Sequence, residues 1–188
     1  MTLVITQPPI AEPVTLDEVK THLRIDHDKE DDLLNALIST AREYLESRTQ
    51  LALITQSWRL CLDAWPKDQC LLLQKSPVQT IDQIEQFDQS GLAQILSANN
   101  MILDGNAHPA RLYTHDQSNP DRAINGIEIT FTAGFGSASD VPDTLKRAIL
   151  THIAHMYEFR GVISQSMQPA SVPHGYEALI CPWLRRSL

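Results

Sequence analysis

Apolar positions recur along the chain with two different periods. Between Glu30 and Arg48, Leu33, Leu34, Leu37, Ile38, Ala41, Tyr44 and Leu45 fall on one stripe at 3.6-residue spacing, which predicts an amphipathic helix. Glu30, Asp31 and Asp32 open it and Arg48 closes it, the charge order that a helix dipole favours. A shorter helix is predicted over 15–23. Thr15 and Glu18 form a capping box, and Val14 and Val19 take the staple positions around it. The two helices should lie antiparallel across the polar connection Asp26–Lys29. A third stripe, Leu145, Ala148, Ile149, Ile153, Met156 and Tyr157, predicts a helix over 142–160, ended by Gly161.

The middle of the chain changes to a period of two. Ile54, Trp58, Leu60 and Leu62 alternate with polar neighbours, with Gln56 breaking the inner row. Cys70–Leu73, Thr80–Phe87, Met101–Leu103 and Arg111–Tyr113 read as further short strands. Ile127, Ile129 and Phe131 make 126–132 the best strand of the set. Turns are expected at Trp65-Pro66 and at Gln89-Ser90-Gly91. The fold class that follows is α+β: a helical frame carrying a small antiparallel β insertion over about 54–134. On this reading residues 1–161 are one domain. Residues 162–188 are a flexible arm, rich in serine and proline, with a short C-terminal helix.

Composition narrows the function. A chain of 188 residues that is 43% hydrophobic can bury a core without disulfides. The formal charge of −8 and pI near 5.2 give no general attraction for phosphate backbones. No apolar run is long enough to cross a bilayer, so no membrane partner is expected. MTLVITQPPI lacks a basic start and is interrupted by Pro8-Pro9, so it is not expected to be a signal peptide. Three cysteines without a CxxC spacing read as free thiols. The charge is uneven. Residues 1–50 carry ten acidic and five basic side chains, whereas 141–188 carry three acidic and five basic.

Candidate chemistry is sparse. Gly134-Phe135-Gly136 lacks the third glycine of a dinucleotide loop and reads as a turn. His152 and His155 share a helix, but not at HExxH spacing, and read as packing or surface histidines. Asp26–Asp32 begins like a calcium loop but has Asp31 and Leu37 where glycine and glutamate are required. No cofactor, metal site or catalytic residue is expected. The C-terminal segment is different. Trp183, Arg185 and Arg186 are residue types that dominate interface hot spots, and here they follow the expected arm. They either dock into a partner or fold back on their own domain.

Taken together, several blocks resemble the head-tail connector (adaptor) proteins of tailed bacteriophages and related gene-transfer particles. They are PVTLDEVKTHLRID with EDDLLNALISTAREYLE, TQSWRLCLDAWP with SPVQTI, ITFTAGFG, VPDTLKRAIL and the tail VPHGYEALICPWLRR, in the family's order. The chain has Thr49-Gln50 where the family often has Thr-Gly, and Gln86-Phe87 where it has Tyr-Val. Residues 96–125 match poorly. The resemblance implies a virion protein of the head-tail neck, made in the host bacterial cytoplasm. It implies a ring of about a dozen copies below the portal protein, which presents a surface to the next tail-side connector and leaves a lumen for DNA that is not specifically bound. It brings no catalytic residue and no cofactor. The segment from about Pro173 to Leu188 is then expected to reach the portal, with Tyr176, Leu179, Trp183, Arg185 and Arg186 as its contact residues. The charge asymmetry fits head-to-tail pairing of copies, and an acidic surface fits a channel along which DNA slides. A tail-completion or stopper protein is the nearest alternative. A metal-dependent hydrolase built on His152 and His155 is a more distant one.

Overall fold

A computed structural model describes residues 1–97, 101–115, 118–159 and 174–184. The expected arm over 162–173 and the expected contact residues Arg185 and Arg186 lie outside the described residues. The chain forms two compact units. One comprises Met1–Ile10 and Ile54–Phe135, and the other Ala11–Leu53 and Gly136–Leu188.

The first unit is all β. Its strands are β1 (Thr2–Gln7), β2 (Gln56–Leu62), β3 (Cys70–Leu73), β4 (Val78–Phe87), β5 (Ala93–Ile95), β6 (Met101–Asp104), β7 (Ala110–Thr114) and β8 (Ile127–Ala133). They form two antiparallel sheets, with strand orders β1-β2-β8-β4-β5 and β3-β7-β6. The centre of the larger sheet is β8, where Ile127, Ile129, Phe131 and Ala133 are buried and alternate with less buried neighbours. Leu60, Ile129 and Ile84 stand side by side across β2, β8 and β4, giving one buried row.

Most predicted strands appear within two residues of their expected ends. Three details differ. Gln56 does not break the inner row of β2: it is buried at the start of that strand, opposite Ala133. The strands β1 and β5 lie at the two edges of the larger sheet. Neither has the apolar-polar alternation of a half-buried strand, because their side chains are mostly exposed on both faces.

The second unit is helical, with α1 (Leu16–Leu23), α2 (Asp31–Thr49), α3 (Asp143–Glu158) and α4 (His174–Ile180), the last followed by a 3₁₀ turn over Cys181–Trp183. Thr15 and Glu18 make the expected capping box. The Glu18 N–H donates to Thr15 Oγ1 at 3.2 Å, and the Thr15 N–H donates to Glu18 Oε2 at 2.6 Å. The core is formed by Val19 of α1, Leu34, Ile38, Ala41 and Leu45 of α2, and Leu145, Ala148, Ile149 and Ile153 of α3. The helix α3 ends at Glu158, with Phe159 as its cap, two residues before the expected limit. Both α1 and α2 end in a left-handed residue, Arg24 (φ 59°) and Gln50 (φ 60°), at positions that usually take glycine.

Candidate interaction segment and its seat

The C-terminal helix α4 has seven residues and rests on its own unit, against α3. A helix this short does not persist alone in water, so its order comes from what it packs on. Tyr176 and Ile180, one turn apart, are completely buried. The Tyr176 ring meets the Tyr44 ring of α2, with centroids 5.9 Å apart, and the His152 ring of α3, at 5.3 Å. Tyr44 and His152 are themselves 4.8 Å apart. Three rings from three helices thus close one aromatic cluster, tilted as edge-rich packing favours.

Polar contacts border the cluster. Arg48, four residues after Tyr44 on α2, donates to Glu177 Oε1 at 3.3 Å. Both side chains are close to half exposed, so this pair contributes orientation more than stability. At the far end, Trp183 Nε1–H donates to Thr144 Oγ1 of α3 at 3.3 Å.

Burial sets the electrostatics of the seat. It holds the His152 imidazole below the ordinary histidine value, and His155 lowers it further, so the fold favours the neutral ring. Burial also raises the Tyr176 phenol far above its ordinary value, helped by Tyr44 and Glu177. The Tyr176 hydroxyl and His152 Nδ1 have no hydrogen-bond partner among the described residues. Each polar atom is there at a cost, and the aromatic contact area offsets it.

The structure separates the five expected contact residues. Tyr176 faces the interior and anchors the helix. Leu179 and Trp183 are partly exposed, while Arg185 and Arg186 lie outside the described residues. The described part of the segment, 174–184, folds back on its own unit, one of the two arrangements the sequence allowed. Sequence reading did not identify Tyr44, Arg48, Thr144 and His152 as the seat. Tyr44 and Arg48 stand at i, i+4 on α2, and only the approach of α4 makes a seat of them.

The other candidate groups disperse. His155 stacks on Phe159 at 4.9 Å, while His152 turns toward the tyrosines. Asp28 and Asp31 each approach Lys20 Nζ at 2.6 Å, and Glu30 accepts from the Tyr157 hydroxyl. The hydrogen bond from Lys20 lowers the Asp28 carboxyl below its ordinary value, so Asp28 is an ion-pair partner. Among the described residues, no three His, Cys, Asp or Glu side chains are grouped so as to hold a metal ion. Gly134 (φ 137°) is the turn residue expected after β8. A Cβ there would come within 2.6 Å of the Ile54 carbonyl oxygen, so the backbone approach requires glycine.

Comparison with known proteins adds what the geometry cannot. Residues 13–89 match the model of the phage gp6-like head-tail connector proteins. The chain is also similar over its whole length to a solved chain in the neck of an empty gene transfer agent particle, determined with C6 symmetry. Identity is 30%, coverage 100% of this chain and 98% of that one, and the TM-score 0.83. The chain belongs to the phage gp6-like head-tail connector family. As a connector it is a structural component of the junction between head and tail. A chain in the virion of a native gene transfer agent matches with the same identity, coverage and TM-score. A chain in a native neck determined with C12 symmetry matches at 29% identity and TM-score 0.78, over 100% and 98% of the two chains. No curated protein matches. No helix among the described residues is long and apolar enough to cross a membrane.

Proposed function

We propose that this connector works as an oligomeric ring in the neck of a tailed particle, with no catalytic role. It binds the portal protein on one side and the next tail-side protein on the other. The observation that carries the reading is the match over 100% and 98% of the two chains to components of necks with sixfold and twelvefold symmetry. A structural role is also supported by the seat of the C-terminal helix, where His152 and Tyr176 serve packing and Arg48 and Glu177 form an ion pair. The net charge of −8 suits a lumen through which DNA moves without adhering.

The portal contact is assigned to the C-terminal segment, with Leu179, Trp183, Arg185 and Arg186 meeting the partner and Tyr176 holding the segment from inside. Trp183 and Leu179 are partly exposed, and the sequence continues into two arginines, residue types that suit interface hot spots. The test is to mix the full chain with the portal protein of the same particle and size the product. A complex is expected with the full chain and not with a chain ending at Gln168. Full binding by the truncated chain would refute the assignment to this segment, and no complex with either chain would refute the portal contact.

A further inference from the structure

Among the described residues the larger sheet has two edges that no further strand covers, and both are neutral. The edge strand β1 lies in Met1–Ala11, a stretch with no charged residue, and β5 lies in Gln89–Leu103, which has none either. Soluble proteins commonly guard exposed strand edges with lysine, other charges or proline, and neither strand contains any of these. In the smaller sheet one edge strand, β6, ends in Asp104, ion-paired with Arg111, while the other, β3, is uncharged but has no unlike neutral edge in its own sheet to complement it.

Exposed apolar side chains collect at the same two edges. Of the eleven large hydrophobic residues exposed among the described residues, six lie here: Met1, Val4, Ile5 and Ile10 on the β1 side, Leu92 and Ile95 on the β5 side. Val4 is 48% exposed and Ile95 69%. Such clustering marks surfaces that are covered in the working assembly.

We propose that these edges pair with each other between copies of this chain, β5 of one copy lying beside β1 of the next. The occupant is a second copy because the chain itself presents the complement. Its two neutral, apolar edges are unlike each other and sit on opposite sides of one sheet. A contact between unlike surfaces is heterologous and propagates around a ring, whereas a self-complementary patch stops at a dimer. Charge agrees, since neither edge repels or needs a counter-charge. Every neighbouring pair in β1-β2-β8-β4-β5 is antiparallel, so β1 and β5 run in the same direction. Copies related by a small rotation therefore join these edges in parallel. A bulge between Ile5 and Gln7 confines the joining stretch to Thr2–Ile5, which matches the short β5. This contact rests on the ring reading above and names the surface that builds the ring.

The test is covalent trapping in the full chain. Val4→Cys and Ile95→Cys are combined in a Cys181→Ser background, which removes the exposed native thiol, and treated with a short bis-maleimide. Four interstrand steps of about 4.8 Å place the two positions roughly 19 Å apart within one copy, beyond the reach of such a reagent. The double-cysteine chain should give a ladder of trimers and higher species, and each single-cysteine chain only background. Dimers from Val4→Cys alone, or no ladder from the pair, would overturn the proposal. As a second measurement, Val4→Lys and Ile95→Glu should each abolish the oligomer in sedimentation, and together in one chain restore it. A folding defect gives no such restoration, and oligomers indifferent to either charge count against the contact. Portal capture, scored separately, keeps the readings apart. Capture without a ladder sinks the edge contact alone, and a ladder without capture sinks the portal contact alone.

Discussion

Glu46 reaches past the end of its own helix to hold Leu53: its Oε1 accepts the Leu53 N–H at 2.8 Å. Its other carboxylate oxygen receives Arg42 Nη1 at 3.2 Å, and Arg42 Nε donates to Glu12 Oε2 at 2.8 Å. Arg42 and Glu46 are both buried, and the segment Leu51–Leu53 beside them is buried as well. A buried backbone N–H is thereby satisfied by a side chain whose own charge is balanced one turn earlier. Replacing Arg42 by Met should leave the Glu46 carboxylate buried without its counter-charge and cost about 3–5 kcal/mol. Urea unfolding of both proteins measures this. The double variant Arg42→Met/Glu46→Gln should recover part of the loss.

Gln50 offers the opposite outcome. It ends α2 at φ 60°, where a side chain is strained, although its Nε2 donates to the Ser47 carbonyl at 2.7 Å. Relieving a left-handed residue is worth about 1 kcal/mol. Gln50→Gly should therefore raise the urea midpoint with no change in slope. A lower midpoint would mean that the Ser47 bond outweighs the strain.

The aromatic seat separates shape from polarity. Tyr176→Phe removes a buried hydroxyl without a partner among the described residues, so stability should hold or rise slightly. Tyr176→Ala opens a cavity in the same place and should cost about 3–5 kcal/mol. The two thermal melts, compared with wild type, decide the point. Equal losses in both variants would show that the hydroxyl contributes.

Histidine makes stability depend on pH in a defined window. Burial holds His152 and His22 below 6.5 in the folded protein, with His155 and Arg147 adding to the effect. The unfolded chain then binds more protons than the folded one as pH falls below 6.5, so stability is complete above that value and declines beneath it. Melting temperatures at pH 7.5 and 5.5 should differ, and His152→Gln should shrink the difference. Asp28, Asp88 and Asp140 titrate below the ordinary 3.8 because Lys20, Ser90 and Ser137 donate hydrogen bonds to their ionised forms. Their contribution is present above 3.8 and disappears only as pH falls through their lower values, so the two windows do not overlap. An unchanged pH 7.5–5.5 difference in His152→Gln would assign the effect to His22.

The sequence alone determined the parts whose information is local. The capping box at Thr15, the stripes of α2 and α3, and the alternation of β8 each encode one buried face, so periodicity reveals them without knowledge of the partner. The order of its blocks also placed the chain with the head-tail connectors. Tertiary structure decided what depends on distant residues meeting. The strands β1 and β5 exist because β2 and β4 offer them hydrogen bonds, and edge strands carry no periodic signal of their own. Gln56 faces inward because of its place in the sheet register. Arg42 and Glu46 become a buried pair only when Glu12 and the Leu53 N–H are brought to them. Tyr176 has the composition of a contact residue, and only the joint approach of Tyr44 and His152 makes it an anchor. Periodicity records which face is buried, but burial against a particular neighbour is a property of the whole fold.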